Sequence, residues 1–217
     1  MSMGIVLIFP GGVFLAADGR QSNPIRGNKL ISDSVSKIEK IDSKLFIIHL
    51  GISQASSVSA KDFAKRYKLN DDPEKLKTKL ETSVSIGLHS IIPRLSPDID
   101  IHNPAIKSIL LLGGIAQQTS FIAGALYGID NKSTICETSC YKNIVLGGEE
   151  LNANTFFNKK CEELIHGQIS TDELVQKLIN ASRDTIRMAE KKDKRIGGKI
   201  SYAVAQINGP TIFNTIK

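Results

Sequence analysis

The sequence contains no tryptophan and only three cysteines among 217 residues. Cys136, Cys140 and Cys161 are an odd number without CxxC or other metal-ligand spacing, so neither a disulfide framework nor a metal site is expected. They read as small buried hydrophobes or free thiols. No apolar run approaches the roughly 20 residues needed to cross a bilayer, and the first residues lack a basic n-region or a cleavable apolar segment. No membrane association is expected, and the expected compartment is the cytoplasm. Internal repeats and low-complexity segments are missing as well. Lys and Arg outnumber Asp and Glu by 28 to 22, a formal charge of +6. These cations are scattered except at Glu190-Lys191-Lys192-Asp193-Lys194-Arg195, where no nucleic-acid-binding motif accompanies them. The excess reads as a solvated surface, and nucleic acid is not an expected partner.

What is present is 41% hydrophobic and 23% charged, with near-neutral mean hydropathy. That is the composition of one globular domain spanning 1–217, long enough to bury a sizeable core. Its most informative stretch is Ser2 to Lys40. Two apolar runs, Gly4 to Phe9 and Val13 to Ala17, flank Pro10-Gly11-Gly12, which predicts a strand, a tight turn and a second strand. The second strand ends in Asp18-Gly19-Arg20, with Arg20 expected to form a structural salt bridge in that loop. A third run, Lys29 to Ile38, alternates as a strand with one wet face does. If the three strands are neighbours, Ser2, Asp18 and Lys37 meet at one place.

Further on, Asp42-Ser43 predicts a turn and Lys44 to Leu50 a strand stopping at Gly51, with His49 a packed or half-exposed strand residue. A helix is expected over Ser53 to Lys68. Asp72 caps and Pro73 opens a longer one, Glu74 to Leu95, whose stripe is Leu76, Leu80, Val84 and Leu88. Ile106 to Ile115 and Thr119 to Ile129 form strands joined at Gln117-Gln118, and Ser133 to Cys140 and Tyr141 to Leu146 continue that sheet. Glu149 to His166 reads as a helix, and Ser170-Thr171-Asp172-Glu173 has the form of a capping box before another. Strands over Lys199 to Ile207 and Thr211 to Ile216 close the chain. This order suits an α+β protein, either generic or layered with helices outside two antiparallel sheets.

The N-terminal hydroxyl residue, then GGVFLAADGRQS, LISDSVSKIEKI and the glycine of HLGISQAS, resembles the β subunits of the proteasome and the related bacterial peptidase ring. That family consists of N-terminal nucleophile hydrolases. The resemblance runs in register from Ser2 to Gly51 with a longer loop at Asn23 to Lys29. It returns at LLLGGIAQQTSFIAGALYGID, YKNIVLGGEE and KKDKRIGG. It implies a four-layer α/β/β/α sandwich of two antiparallel sheets. It also implies Ser2 as nucleophile in place of the usual threonine, with Asp18 and Lys37 beside it and Gly51 N–H in the oxyanion hole. Asp193 would be a second aspartate near the terminus, and Ser22 would lie on the substrate-binding strand edge. No cofactor or metal is implied. The implied partners are a homo-oligomeric ring, a peptide or other amide substrate and an ATPase that feeds it.

A serine hydroxyl is a weak nucleophile at neutral pH and needs a base within reach. Removal of Met1 would provide one, the α-amine of Ser2 itself, with an ordinary pKa of about 7.7 to 8.0. Two departures stand against this. Gly148 and Ile196 occupy positions where the family carries serines, with Glu149 a candidate compensating carboxylate. The alternative function is therefore a non-catalytic subunit that assembles into a ring or shell.

Overall fold

The computed structural model describes residues 2–23, 29–95, 99–103, 106–147, 152–165 and 169–216. The protein is mixed α+β, with two five-stranded antiparallel sheets, a two-stranded ribbon and four helices among the described residues. Strands β1 (Gly4–Phe9) and β2 (Gly12–Asp18) form a hairpin around Pro10-Gly11, with Gly11 at φ 81°. The ribbon follows as β3 (Gln21–Asn23) and β4 (Lys29–Ser32). Next come β5 (Ile38–Asp42), β6 (Leu45–Gly51), α1 (Ser53–Arg66) and α2 (Pro73–Ile91). Asp72 caps α2 as its sequence predicts, accepting the Lys75 N–H at 2.9 Å.

The second half holds β7 (Lys107–Ala116), β8 (Thr119–Gly128), β9 (Lys132–Glu137) and β10 (Asn143–Leu146). Then follow α3 (Ala153–Ile165), α4 (Thr171–Lys192), β11 (Ile200–Gln206) and β12 (Ile212–Ile216). Ser170 caps α4 through Glu173 N–H at 3.2 Å. The return half of the capping box is replaced, because the Glu173 carboxylate pairs with Lys177 one turn on.

One sheet has the order β10-β1-β2-β11-β12, the other β5-β6-β7-β8-β9. Side chains alternate across a strand, so each central strand feeds two apolar clusters. Ile5, Leu7 and Phe9 of β1 pack with Phe157 of α3 and Leu178 and Ile186 of α4. Val6 and Ile8 of the same strand pack with Phe46, Ile48, Leu111 and Ile122 of the second sheet. The far face of that sheet, with Ile47, Leu110 and Leu112, packs on Phe63 of α1 and Leu80 and Val84 of α2. Strands buried on both faces explain why β1 and β2 are unbroken apolar runs.

Three expectations are corrected. The run Lys29 to Ile38 is not one strand: β4 ends at Ser32, and β5 begins at Ile38 in the other sheet. The stretch between is drawn to the β2 end instead, where Val35 N–H donates to Gly19 O at 3.0 Å and Asp33 O accepts from Lys199 N–H at 2.8 Å. The three N-terminal runs are thus not side by side. Third, Tyr141 to Leu146 does not continue the sheet of β9. A turn at Ser139 to Lys142, with Tyr141 at φ 64°, sends β10 across to pair with β1. The expected start of α3 at Glu149 and its end at His166 lie outside the described residues.

Candidate active site

Asp18 is the last residue of β2, Lys37 immediately precedes β5, and Gly51 ends β6. Their chain neighbours Ala17, Ile38 and Leu50 all belong to the apolar cluster between the sheets. The sheets therefore hold these three positions at one end of their shared core. Ser2, just before β1, completes the corner.

Asp18 is wholly buried and Lys37 is 5% exposed. The Lys37 ammonium donates to Asp18 Oδ1 at 2.7 Å, to Ser2 Oγ at 3.0 Å and to the Arg20 carbonyl at 2.6 Å. Three acceptors around one Nζ match the three donors of the charged form. Asp18 in turn accepts from Met3 N–H at 2.7 Å, Gly197 N–H at 3.1 Å and Arg20 N–H at 3.3 Å. Four N–H groups, counting Lys37, fill an ionised carboxylate. Burial pushes Lys37 below the ordinary lysine value, opposed by the Asp18 charge. Burial likewise raises Asp18, opposed by Lys37 and by the N–H groups of Met3 and Gly197. Ser2 Oγ thus meets a poorly solvated cation that favours its alkoxide.

Gly51 has φ 83°, and a Cβ there would lie 2.3 Å from the Lys107 carbonyl, so only glycine fits. The ladder fixes where its N–H points. Ile52 and Lys44 bond toward β7, and His49 N–H donates to Lys37 O on the β5 side. By alternation, Gly51 N–H faces the side on which Lys37 lies. His49 itself is half-buried, with Nε2 3.3 Å from Glu39 Oε1.

The remaining site expectations fare differently. Asp193 C-caps α4, and its carboxylate is held by the Arg195 guanidinium through contacts of 2.7 to 3.1 Å. No hydrogen bond joins it to Ser2 among the described residues. Ser22 pairs with Leu30 across the ribbon, and its side chain lies outside the described residues, as do Gly148 and Glu149. Ile196, a departure from the resembling family's serine, is wholly buried in the cluster beneath α3 and α4.

Gly147 opens the Gly147-Gly148 stretch that the resemblance puts near Ser2. At φ 79°, a Cβ on it would fall 1.6 Å from the Ser2 carbonyl oxygen, so the main chain of Ser2 passes directly over this glycine. No group of three His, Cys, Asp or Glu among the described residues could hold a metal ion. No helix among them is long and apolar enough to cross a membrane. Neither a family model nor a curated protein matches this chain. What defines the protein is its α+β fold and the hydroxyl, ammonium and carboxylate at one corner of it.

Proposed function

We propose that the chain is an N-terminal nucleophile amide-bond hydrolase with the α/β/β/α sandwich of proteasome-type peptidases. The apolar cluster between the sheets and the clusters under each helix pair support that layering. One observation carries the enzymatic reading: Lys37 Nζ bridges Ser2 Oγ and the wholly buried Asp18. An ion pair kept in such a place is weak evidence for stability, because burying two charges costs several kcal/mol per ion before attraction returns it. Its use is chemical.

After removal of Met1, Ser2 Oγ attacks the substrate carbonyl carbon and its proton passes to the α-amine of the same residue. Lys37 stabilises the developing alkoxide, and Gly51 N–H receives the carbonyl oxygen as it becomes negative. The amine then returns the proton to the leaving nitrogen, and water hydrolyses the resulting ester by the reverse proton path.

Intact mass and β-lactone labelling test this reading. The expected result is a chain lacking Met1 that gains one adduct on Ser2, with no adduct in Ser2→Ala. Labelling slows as pH falls below about 7.7 to 8.0, because the α-amine becomes protonated. Retention of Met1, or equal labelling of Ser2→Ala, would sink it. The engagement of Asp193 by Arg195 and the burial of Ile196 favour a second reading, an assembly subunit without activity. Native mass showing a ring that never labels would select it.

A further inference from the structure

We propose that Arg20 is a positioning residue for Lys37: its main chain touches both members of the buried pair while its guanidinium clamps the two segments that bring their partners. The inference rests on the hydrolase reading for its kinetic consequence, and on geometry alone for the clamp.

The main chain of Arg20 donates its N–H to Asp18 Oδ2 and accepts Lys37 Nζ on its carbonyl at 2.6 Å. Its side chain is 15% exposed, and its guanidinium makes four hydrogen bonds and one further ion pair. Nε donates to Asp33 Oδ1 at 2.5 Å, and Nη2 reaches Asp33 Oδ2 at 3.2 Å and Glu190 Oε1 at 3.1 Å. Nη1 donates to the carbonyls of Lys194 at 2.9 Å and Ile196 at 3.2 Å.

The clamped segments are those that build the corner. Asp33 begins the irregular stretch that ends at Lys37. The turn after α4 carries Gly197, whose N–H donates to Asp18 Oδ2 at 3.1 Å. Gly19, the residue before Arg20, joins the same two segments through its own main chain, donating to Gly197 O and accepting from Val35 N–H, each at 3.0 Å. They converge so closely that a Cβ at Gly19 would lie 2.5 Å from the Lys199 carbonyl.

A planar fork with five donors fixes both segments at once, which a lysine at this position cannot do. The clamp therefore sets where Lys37 Nζ stands relative to Ser2 Oγ, through the Arg20 carbonyl and through the path from Asp33. A misplacement of about 1 Å at a reacting group lowers rates by roughly 100-fold.

The test compares wild type with Arg20→Lys, which keeps the charge but loses the fork, and Asp33→Asn, which keeps the guanidinium. Arg66→Lys is the control, since Arg66 pairs with Asp62 along α1. Two quantities are read: kcat and KM on a fluorogenic amide, and the midpoint of the Lys37 13Cε NMR titration. Arg20→Lys and Asp33→Asn are expected to lower kcat about 10- to 100-fold with KM within about twofold. The Lys37 midpoint moves up toward the ordinary lysine value as water reaches it. Arg66→Lys lowers Tm and moves neither quantity, as does any merely structural ion pair. An unchanged Lys37 midpoint in either site variant that folds overturns the proposal, and Asp33→Asn decides alone if Arg20→Lys does not fold. If wild type hydrolyses nothing, the hydrolase reading fails while the titration still decides the clamp.

Discussion

The space between the two sheets obeys opposite rules at its middle and at its end. In the middle, Val6, Ile8, Leu15, Phe46, Ile48 and Leu111 are all wholly buried and make no demand beyond close packing. At the end, at the last residue of β2 and one residue before β5, similar burial encloses a carboxylate and an ammonium. Apolar burial contributes about 1.5 to 3 kcal/mol for each large side chain. The ionic corner stabilises only while every donor and acceptor stays matched. The packed middle holds the backbone ends rigid, and the corner uses that rigidity to keep charge near a hydroxyl.

Breaking the corner on one side gives the largest effect. Lys37→Ala leaves the Asp18 carboxylate buried with no counter-charge, and a loss of about 3 to 5 kcal/mol is expected by urea unfolding. Removing both charges while keeping an acceptor for the Met3 and Gly197 N–H groups, Asp18→Asn with Lys37→Met, recovers part of that stability and never restores labelling of Ser2. A double variant as unstable as Lys37→Ala would show that the corner has the same packing role as the middle. The matching change in the middle, Leu111→Ala, is expected to lose about 2 to 5 kcal/mol. Its labelling rate at low temperature stays at the wild-type value, which separates packing from chemistry.

Gly147→Ala sharpens the contrast at smaller energy. The added methyl meets the Ser2 carbonyl, and φ 79° disfavours any side chain, so about 1 to 2 kcal/mol is lost. The rate of Ser2 labelling falls far more than the stability, because the clash displaces Ser2 and leaves the core intact. Parallel urea and labelling measurements check this.

The features that local chemistry writes were legible in the sequence. Pro10-Gly11 set the hairpin, Asp72 and Ser170 set their helix caps, and the Leu76, Leu80, Val84, Leu88 stripe set the buried face of α2. The meeting of Ser2, Asp18 and Lys37 was legible only through their register in a resembling family. Features set by tertiary bonds were not readable. The break after Ser32 depends on carbonyls at Gly19 and Asp33 bonding partners far along the chain, and the departure of β10 depends on Tyr141 N–H reaching Ile8 O at 2.7 Å. Arg20 was legible as a salt-bridge residue of its loop, but its carbonyl contact with Lys37 was not, because a main-chain acceptor carries no residue signature of its own. Asp193 was placed by motif near the terminus, and the hold of Arg195, two residues on, on its carboxylate was not readable from that motif.

The two aspartates give the smallest and most specific prediction. The Arg195 fork holds the Asp193 carboxyl below the usual carboxylate value, whereas burial holds Asp18 above it. A depressed folded value means that the unfolded chain binds the proton more readily, so Asp193 adds stability above about pH 3.9 and loses it as pH falls through its lowered value. A raised value has the opposite sign, so Asp18 alone favours the fold as pH falls through that value. Asp193→Asn is therefore expected to flatten the acid limb of a Tm against pH curve while changing neutral stability by less than about 1 kcal/mol, since the pair is partly exposed. Asp18→Asn does the reverse, steepening the acid loss while leaving Lys37 without its charge partner at neutral pH. Equal acid slopes in the two variants would mean that the corner is wet enough for Asp18 to titrate as a surface carboxylate does, and the distinction between middle and end would then vanish.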